Sequence, residues 1–466
     1  CFTDPYQDLL AQIWLKLLGD QPLTTDSHFF RLGGHSILVT KLIAEVRNNL
    51  QLNLSFTEVF QQPELGKLAA LLQQKQAQEQ QVFTLPAIKP YLHQRDIPLS
   101  FQQERVWFLQ QLQPENTAYN FQLSFWLKGP LQTELLAQSL TEIVARQQLW
   151  YTSFHQQDGI PYQRIEQPFE VELQLESLMH LNEQDKKVHA QRLLDELSQT
   201  AFNVNELPLI RWKLLQLDTD LYQLIQVEHH LVHDGWSVGL FLKELQHIYQ
   251  AKLAGTTHIL APLSISYADF CLWQREVLTG PYFSQMEQYW LKQLANCPTQ
   301  LGLPYDYNRP AVPSFRGDSE MFHLPDGLYS QLRQFGKQQG YTLYMTMLAA
   351  YYVMLSRYSQ QTDICVGAGA ASRNLPELQP IIGMMVNSIV LRTDLSGNPS
   401  FLQLLDRVKA TCLGGYSHQD MPFEHLVKKL CPSRTGHANP PFQTMFSFHD
   451  AEVPELNFGG LEVFAQ

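Results

Sequence analysis

Nine consecutive residues, His229-His230-Leu231-Val232-His233-Asp234-Gly235-Trp236-Ser237, constrain this chain more tightly than any other stretch. Ahead of them Tyr222, Leu224, Ile225 and Val227 form an apolar run broken by Gln223, Gln226 and Glu228, with the length and residue types of a strand. Behind them Val238, Leu242, Leu245 and Tyr249 recur at helical spacing, with Phe241 and Ile248 alongside. The histidines therefore sit where a strand turns into a helix. Adjacent strand residues point to opposite faces, so only one of His229 and His230 can face a given cavity. Asp234-Gly235 supplies the turn, and Gly235 has access to backbone angles closed to most residues.

Three chemistries compete for this cluster. A buried histidine pair with Asp234 capping the helix is the structural reading. A metal site is the second, since three histidines and an aspartate are all ligands. His229 and His230 diverge, however, and no further Cys or His group stands at ligand spacing, so we assign no metal. The third is acid-base chemistry, with one neutral imidazole in a cleft and a buried carboxylate holding the loop that presents it.

Further motifs follow one another along the chain. Leu99-Ser-Phe-Gln-Gln-Glu-Arg-Val-Trp107-Phe-Leu109 comes first, then Tyr267-Ala-Asp269-Phe-Cys-Leu-Trp273. Ile382-Gly383-Met-Met-Val-Asn387-Ser-Ile-Val-Leu-Arg392, His418-Gln-Asp-Met-Pro422-Phe-Glu424 and Asn439-Pro-Pro-Phe442-Gln443 complete the set. Together with His-His-x-x-x-Asp-Gly-Trp-Ser, these six in this order resemble condensation domains of nonribosomal peptide synthetases, in the chloramphenicol acetyltransferase-like superfamily.

The chain has 466 residues, enough for two to four folding units. Hydrophobic residues make up 44% and charged residues 17%, an ordinary soluble globular mix. A formal net charge of -12 leaves no electrostatic footprint for nucleic acid, and no apolar run reaches membrane-spanning length. The six cysteines are scattered without a Cys-x-x-Cys pair, which points to reduced thiols and a cytoplasmic location. A chain that starts at Cys1 without a leader reads as a piece of something longer.

Residues 1–73 read as a four-helix bundle. Leu9, Leu10, Ile13, Trp14, Leu17 and Leu18 make one apolar face, and Leu38, Leu42, Ile43 and Val46 another. Ahead of the second long helix runs Leu32-Gly33-Gly34-His35-Ser36. Two glycines allow a tight turn, and Ser36 then stands at a helix N-terminus, either as a cap or as a site where amide N–H groups favour a phosphate. Leu-Gly-Gly-His-Ser resembles the attachment motif of peptidyl carrier domains, which implies 4'-phosphopantetheine carried covalently on Ser36. Residues 74–96, rich in Gln and closing on Leu85-Pro86 and Pro90, bury little and read as a linker.

Residues 97–274 and 275–466 then form the two lobes of a mixed α/β domain, the second expected to lack its last strands and closing helix. Leu135 to Arg146 and Tyr341 to Tyr358 read as helices, and Asp363 to Ala370 as a strand of small residues. Gly367-x-Gly369 there is assigned to close backbone packing, since no lysine follows to make a nucleotide loop. Asn387, inside an apolar run, either satisfies a partner or faces a cleft. Where the family carries Arg-His-Glu-x-x-Arg-Thr-x-Phe, this chain has Arg146-Gln-Gln-Leu-Trp-Tyr-Thr152-Ser-Phe154, with Gln147, Gln148 and Tyr151 as departures. Arg146 is retained, as the candidate cation for Asp234.

The resemblance implies that the carrier presents an aminoacyl or peptidyl thioester in a tunnel between the lobes and that an amine from a downstream carrier attacks it, with no metal. His230 is the candidate base, His229 a structural neighbour, Asp234 the residue that orients the loop, and the Gly235 amide a candidate oxyanion donor. Implied partners are upstream and downstream synthetase domains, a phosphopantetheinyl transferase and acyl thioesters. Epimerisation domains share the histidine motif, but their carriers tend to show Asp at the position of His35. Cyclisation domains replace the histidines with aspartate, and a non-catalytic recruitment module would have lost the cluster.

Overall fold

A computed structural model of the chain describes every residue except 1, 53, 78–85, 92–94, 258–259, 279, 299, 308–316, 431–440, 449–457, 459 and 466. Two compact units emerge: Cys1–Pro86 with Thr279–Gln379 and Asn387–His449, and Ala87–Leu278 with Pro380–Val386 and Asp450–Gln466. The second lobe expected over 275–466 is thus divided, since Pro380–Val386 folds with the residues before 279.

In the first unit the chain opens with helices α1 (Pro5–Leu18), α2 (Ser36–Leu50), α3 (Phe56–Gln61) and α4 (Leu65–Ala77). Asp4 caps α1 by accepting the amides of Tyr6 and Gln7, with Pro5 opening the helix where no N–H is needed. Leu10, Trp14, Phe29, Leu42 and Val46 are fully buried between the helices. The helix α4 runs four residues past the expected end at 73.

The second unit carries β1 (Asp96–Pro98), α5 (Phe101–Leu112), β2 (Asn120–Lys128), α6 (Thr133–Arg146), β3 (Thr152–Gln157), β4 (Ile160–Ile165), β5 (Leu175–Ser177), α7 (Glu183–Gln199), β6 (Ile210–Gln216), β7 (Leu221–His229), α8 (Gly235–Leu253) and α9 (Tyr267–Val277). Two parts of the expected linker belong to its structure: Ile88 is buried, and the Tyr91 amide donates to Asp269 at 2.7 Å. These two anchors attach residues 88–91 to the second unit.

The remainder of the first unit holds α10 (Pro281–Gln293), α11 (Asp326–Gln339), α12 (Leu343–Ser359), β8 (Asp363–Ala370), β9 (Asn387–Asp394), α13 (Phe401–Ser417) and α14 (Phe423–Leu430). Strands β8 and β9 pair antiparallel, Asp363 opposite Asp394. A Cβ on Gly367 would stand 2.5 Å from the Phe442 ring, so the small residues of β8 do serve close packing. Asn387 spends its amide on the carbonyls of Gln419 and Met421 and accepts from the Phe423 amide. It is a tie between segments, which resolves the choice between partner and cleft. Within this unit α3 meets α13, the Phe56 and Tyr416 rings lying 5.6 Å apart and the Lys409 ammonium 5.9 Å from the Phe60 ring.

The chain returns to the second unit as β10 (Glu462–Ala465), and the sheet order there is β10-β2-β7-β6-β5. Strand β7 is third of five and buried along nearly its whole length. That burial forces its polar residues to find partners. Gln223 donates to Ser124, and Gln226 accepts from the Trp212 indole. Among the described residues no helix is long and apolar enough to cross a membrane.

Candidate active site

The histidine motif lies entirely in the second unit, where β7 ends and α8 begins. Alternation along β7 divides the pair as the pleat requires. His229 is fully buried; its Nε2 stands 3.3 Å from the side-chain Oε1 of Gln110 and its Nδ1 accepts the Leu231 backbone amide. Burial first, then the neighbouring His230 and Arg211, push its pKa down to about 3, so it is a neutral spacer. His230 keeps partial exposure and donates its backbone amide to the Tyr119 carbonyl at 2.8 Å. Burial, followed by the nearby His233, lowers its pKa below the ordinary histidine value, which leaves a neutral imidazole near pH 7.

Asp234 is the N-cap of α8. Its Oδ1 accepts the Ser237 amide at 3.0 Å and the Ser237 hydroxyl at 2.7 Å, while Oδ2 accepts the Met385 amide at 3.0 Å. The Ser237 hydroxyl in turn accepts the Gly383 amide at 3.1 Å. Tyr267 fills the space beside Gly383, where a Cβ would fall 2.3 Å from its ring, and donates its hydroxyl to the Met384 carbonyl at 2.5 Å. The same hydroxyl is 2.9 Å from the Ser100 hydroxyl, and the side-chain Nε2 of Gln103 donates to the Leu231 carbonyl at 3.1 Å. Four of the sequence motifs therefore converge through hydrogen bonds around one turn.

Two expectations are corrected. Arg146 does not supply the cation expected for Asp234: its Nε donates to Glu244 at 2.8 Å and its terminal nitrogen to the Ala261 carbonyl. Arg146 sits at the end of α6, and Glu244 on α8 is the carboxylate within its reach. Gln147, a departure from the family pattern, shares that carboxylate and holds the Pro380 carbonyl and Ile382 amide. Gly235 does not use its conformational freedom, since its φ is outside the left-handed range. A side chain there would meet nothing within 4 Å, so this glycine leaves room beside its amide.

Sequence reasoning passed over Glu228, whose Oε1 is 2.9 Å from His233 Nδ1 with both side chains buried. A glutamate immediately ahead of the histidine pair, in a largely apolar run, was the available signal. Among the described residues no cluster of His, Cys, Asp and Glu is arranged to hold a metal ion.

In the first unit Ser36 is the opening residue of α2, and the cap position belongs to His35, which makes no side-chain capping bond. Gly33 takes φ +109°, and a Cβ on Gly34 would stand 2.3 Å from the Phe29 ring, so both glycines are needed for the turn. The first turn of α2 has no acidic residue. A serine that opens a 15-residue helix, where N-terminal backbone amides and the helix dipole favour an anion, suits the attachment of a phosphodiester.

The condensation domain model matches residues 93–459, and the phosphopantetheine attachment site model matches residues 8–72. The chain is 35% identical over 460 residues to tyrocidine synthase 3 of Brevibacillus parabrevis, covering 98% of this chain and 7% of that protein. It is 34% identical over 463 residues to a dimodular nonribosomal peptide synthase of Bacillus subtilis (strain 168), covering 98% of this chain and 19% of that one. This chain thus spans less than a fifth of either relative's length. Among solved structures, the X-domain from teicoplanin biosynthesis superposes with a TM-score of 0.71 at 25% identity, over 82% of this chain and 84% of that chain. The first condensation domain of the CDA synthetase gives 0.67 at 20% identity over 80% and 87%, a likeness of fold. The chain belongs to the condensation-domain family of nonribosomal peptide synthetases and carries a phosphopantetheine attachment domain ahead of that domain.

Proposed function

We propose that this chain joins an acyl group carried on its own attachment domain to an amine on a downstream carrier, with His230 as the residue that handles the proton. The observation that carries the reading is the partly exposed His230, whose pKa burial lowers, on a turn fixed by Asp234, Ser237, Gln103 and the Gly383–Met385 backbone. When bound to Ser36, phosphopantetheine supplies a thiol on which the acyl group is held as a thioester. A free α-amino group has a pKa of about 7.7 to 8.0, so part of it is already neutral at pH 7. His230 is then needed to align the amine and to take the proton from the cationic adduct. The Gly235 amide, at the N-terminus of α8 with open space beside it, is the donor we assign to the developing oxyanion.

In this reading His229 and Asp234 position the turn, and the chain acts as an amide-forming acyltransferase. The domain limits we propose are a carrier up to Ala77 and a condensation domain thereafter, and the free thiols of Cys271, Cys297, Cys365 and Cys412 fit a cytoplasmic setting. The partners are the adjoining synthetase domains and a phosphopantetheinyl transferase.

The test is an incubation of the loaded full chain with an amine acceptor, read by mass spectrometry. A joined product supports condensation, whereas a racemised donor alone would mean epimerisation and an unchanged donor a recruitment role. The teicoplanin X-domain, also solved in complex with OxyB, is the relative that makes the last outcome worth measuring. His230→Ala is expected to reduce amide formation at least about a hundredfold while leaving loading intact; near-normal product would remove His230 from its role.

A further inference from the structure

We propose that Cys297 and Cys365 form a redox-responsive pair: Cys297 is the thiol that a small disulfide such as oxidised glutathione modifies, and Cys365 resolves that adduct into an intrachain bridge. Both lie in the first unit, Cys297 on the segment that follows α10 and Cys365 on β8. The sheet register brings them together. Cys365 stands opposite Arg392 of β9, and Asp363 precedes Cys365 by two positions, so all three side chains share one face of the strand pair. Arg392 grips Asp363 through Nε at 2.9 Å and Nη2 at 2.7 Å, and its Nη1 donates to the carbonyls of Gln293 at 3.1 Å and Ala295 at 2.8 Å. The chain leaving α10 is thereby laid over this face. Asn296 takes φ +54°, the Cys297 amide donates to the Leu294 carbonyl at 3.2 Å, and the Cys297 and Cys365 thiols are hydrogen-bonded to each other.

The two thiols are unlike. Cys365 is 7% exposed, and its hydrogen bond with Cys297, then burial, push its pKa up. Cys297 is partly exposed, and the hydrogen bond from Cys365, with the Arg392 guanidinium nearby, pulls its pKa below the ordinary thiol value. A reachable thiol beside a protected one is the arrangement of an attacking and a resolving cysteine. The Cys297 thiolate attacks one sulfur of oxidised glutathione, breaks its S–S bond and releases a glutathione thiolate, which takes up the proton that Cys297 lost. Cys365 then attacks the Cys297 sulfur and passes its own proton to the second departing glutathione as the Cys297–Cys365 bond forms. Two protein thiols are oxidised and one glutathione disulfide is reduced to two thiols. Cys271 and Cys412 are fully buried, and burial pushes both thiols up, so neither competes for the oxidant. The bridge closes a loop of about 70 residues and staples the exit of α10 to β8.

The test is incubation of the reduced full chain with oxidised glutathione at neutral pH, followed by peptide mapping without reduction. The peptides that hold Cys297 and Cys365 should be joined, and this result needs no variant. Thiols that both stay free, or a glutathione kept on Cys297 in the parent chain, would overturn the pair. In Cys365→Ser the glutathione adduct should persist on Cys297, and in Cys297→Ser the thiol of Cys365 should stay unmodified; glutathione on Cys365 in the latter would overturn the order of attack. The bridged chain should melt at a higher temperature than the reduced one, and dithiothreitol should reverse the rise. An unchanged melting temperature would overturn the staple.

Discussion

Oδ2 of Asp234 accepts the backbone amide of Met385 at 3.0 Å, across 151 positions of chain. The cap of α8 and a distant motif are thereby one structure: the carboxylate that starts the helix also fixes the Gly383–Met385 backbone through itself and Ser237.

Replacing Asp234 by Ala removes a helix cap and strands a buried amide. Adding about 1 kcal/mol for the cap to about 1–3 kcal/mol for the amide, stability should fall by roughly 2–4 kcal/mol in urea unfolding. Asp234→Asn keeps an acceptor oxygen and should lose less. Equal losses in the two variants would mean that the negative charge itself is what matters.

Gly383→Ala should behave as an overpacked core change. The added methyl would meet the Tyr267 ring at 2.3 Å and Leu149 at 2.9 Å. A cost of about 1–3 kcal/mol is expected from thermal unfolding, and reduced amide formation should accompany it because Tyr267 holds the Met384 carbonyl. An unchanged melting temperature would show that this packing is looser than the distances state.

Arg146 and Glu244 form a largely buried pair, so breaking one side should cost more than replacing both. Arg146→Met is expected to destabilise by roughly 2–3 kcal/mol, and the further change Glu244→Gln to recover about half of that. A double-mutant cycle in urea reads the coupling. Additive losses would place Arg146 outside this interaction.

His229 gives the protein a pH-dependent stability whose sign follows from its burial. Its pKa is about 3 when folded and near the ordinary 6.5 when unfolded, so between those values the unfolded chain binds the extra proton. The contribution is complete above about pH 6.5 and is lost as pH falls toward 3, at up to about 1.4 kcal/mol per pH unit. Unfolding between pH 7 and pH 4 should therefore steepen less in His229→Gln than in the parent. Identical pH slopes would count against a neutral buried His229.

Ser36→Ala should abolish the mass gain produced by coenzyme A and a phosphopantetheinyl transferase. A mass shift that survives the substitution would put the arm on another residue.

Much of the site was legible before the fold was known, for local reasons. Period-2 and period-3.6 patterning placed His229 and His230 at a strand end and Asp234 at a helix start, and β7 and α8 lie there. The Gly33-Gly34 turn ahead of Ser36 was readable because a turn is a property of neighbouring residues. Partner choice was not readable. Arg146 was assigned to Asp234, and it pairs with Glu244, because a helix pattern tells which face is apolar but not which carboxylate another helix brings within 3 Å.

The sequence by itself determined where the chain turns, which residues can carry protons or a phosphate, and the order of its motifs, because these depend on neighbours within about two helical turns. Only the tertiary structure decided that Tyr267, Gln103, Gly383 and Met385 close on the histidine turn, and that Glu228 claims His233. Those contacts join residues that are far apart in the chain or lie on either side of the turn between β7 and α8. Their physical origin is the demand that each polar group buried by the sheet find a partner, and packing selects which one.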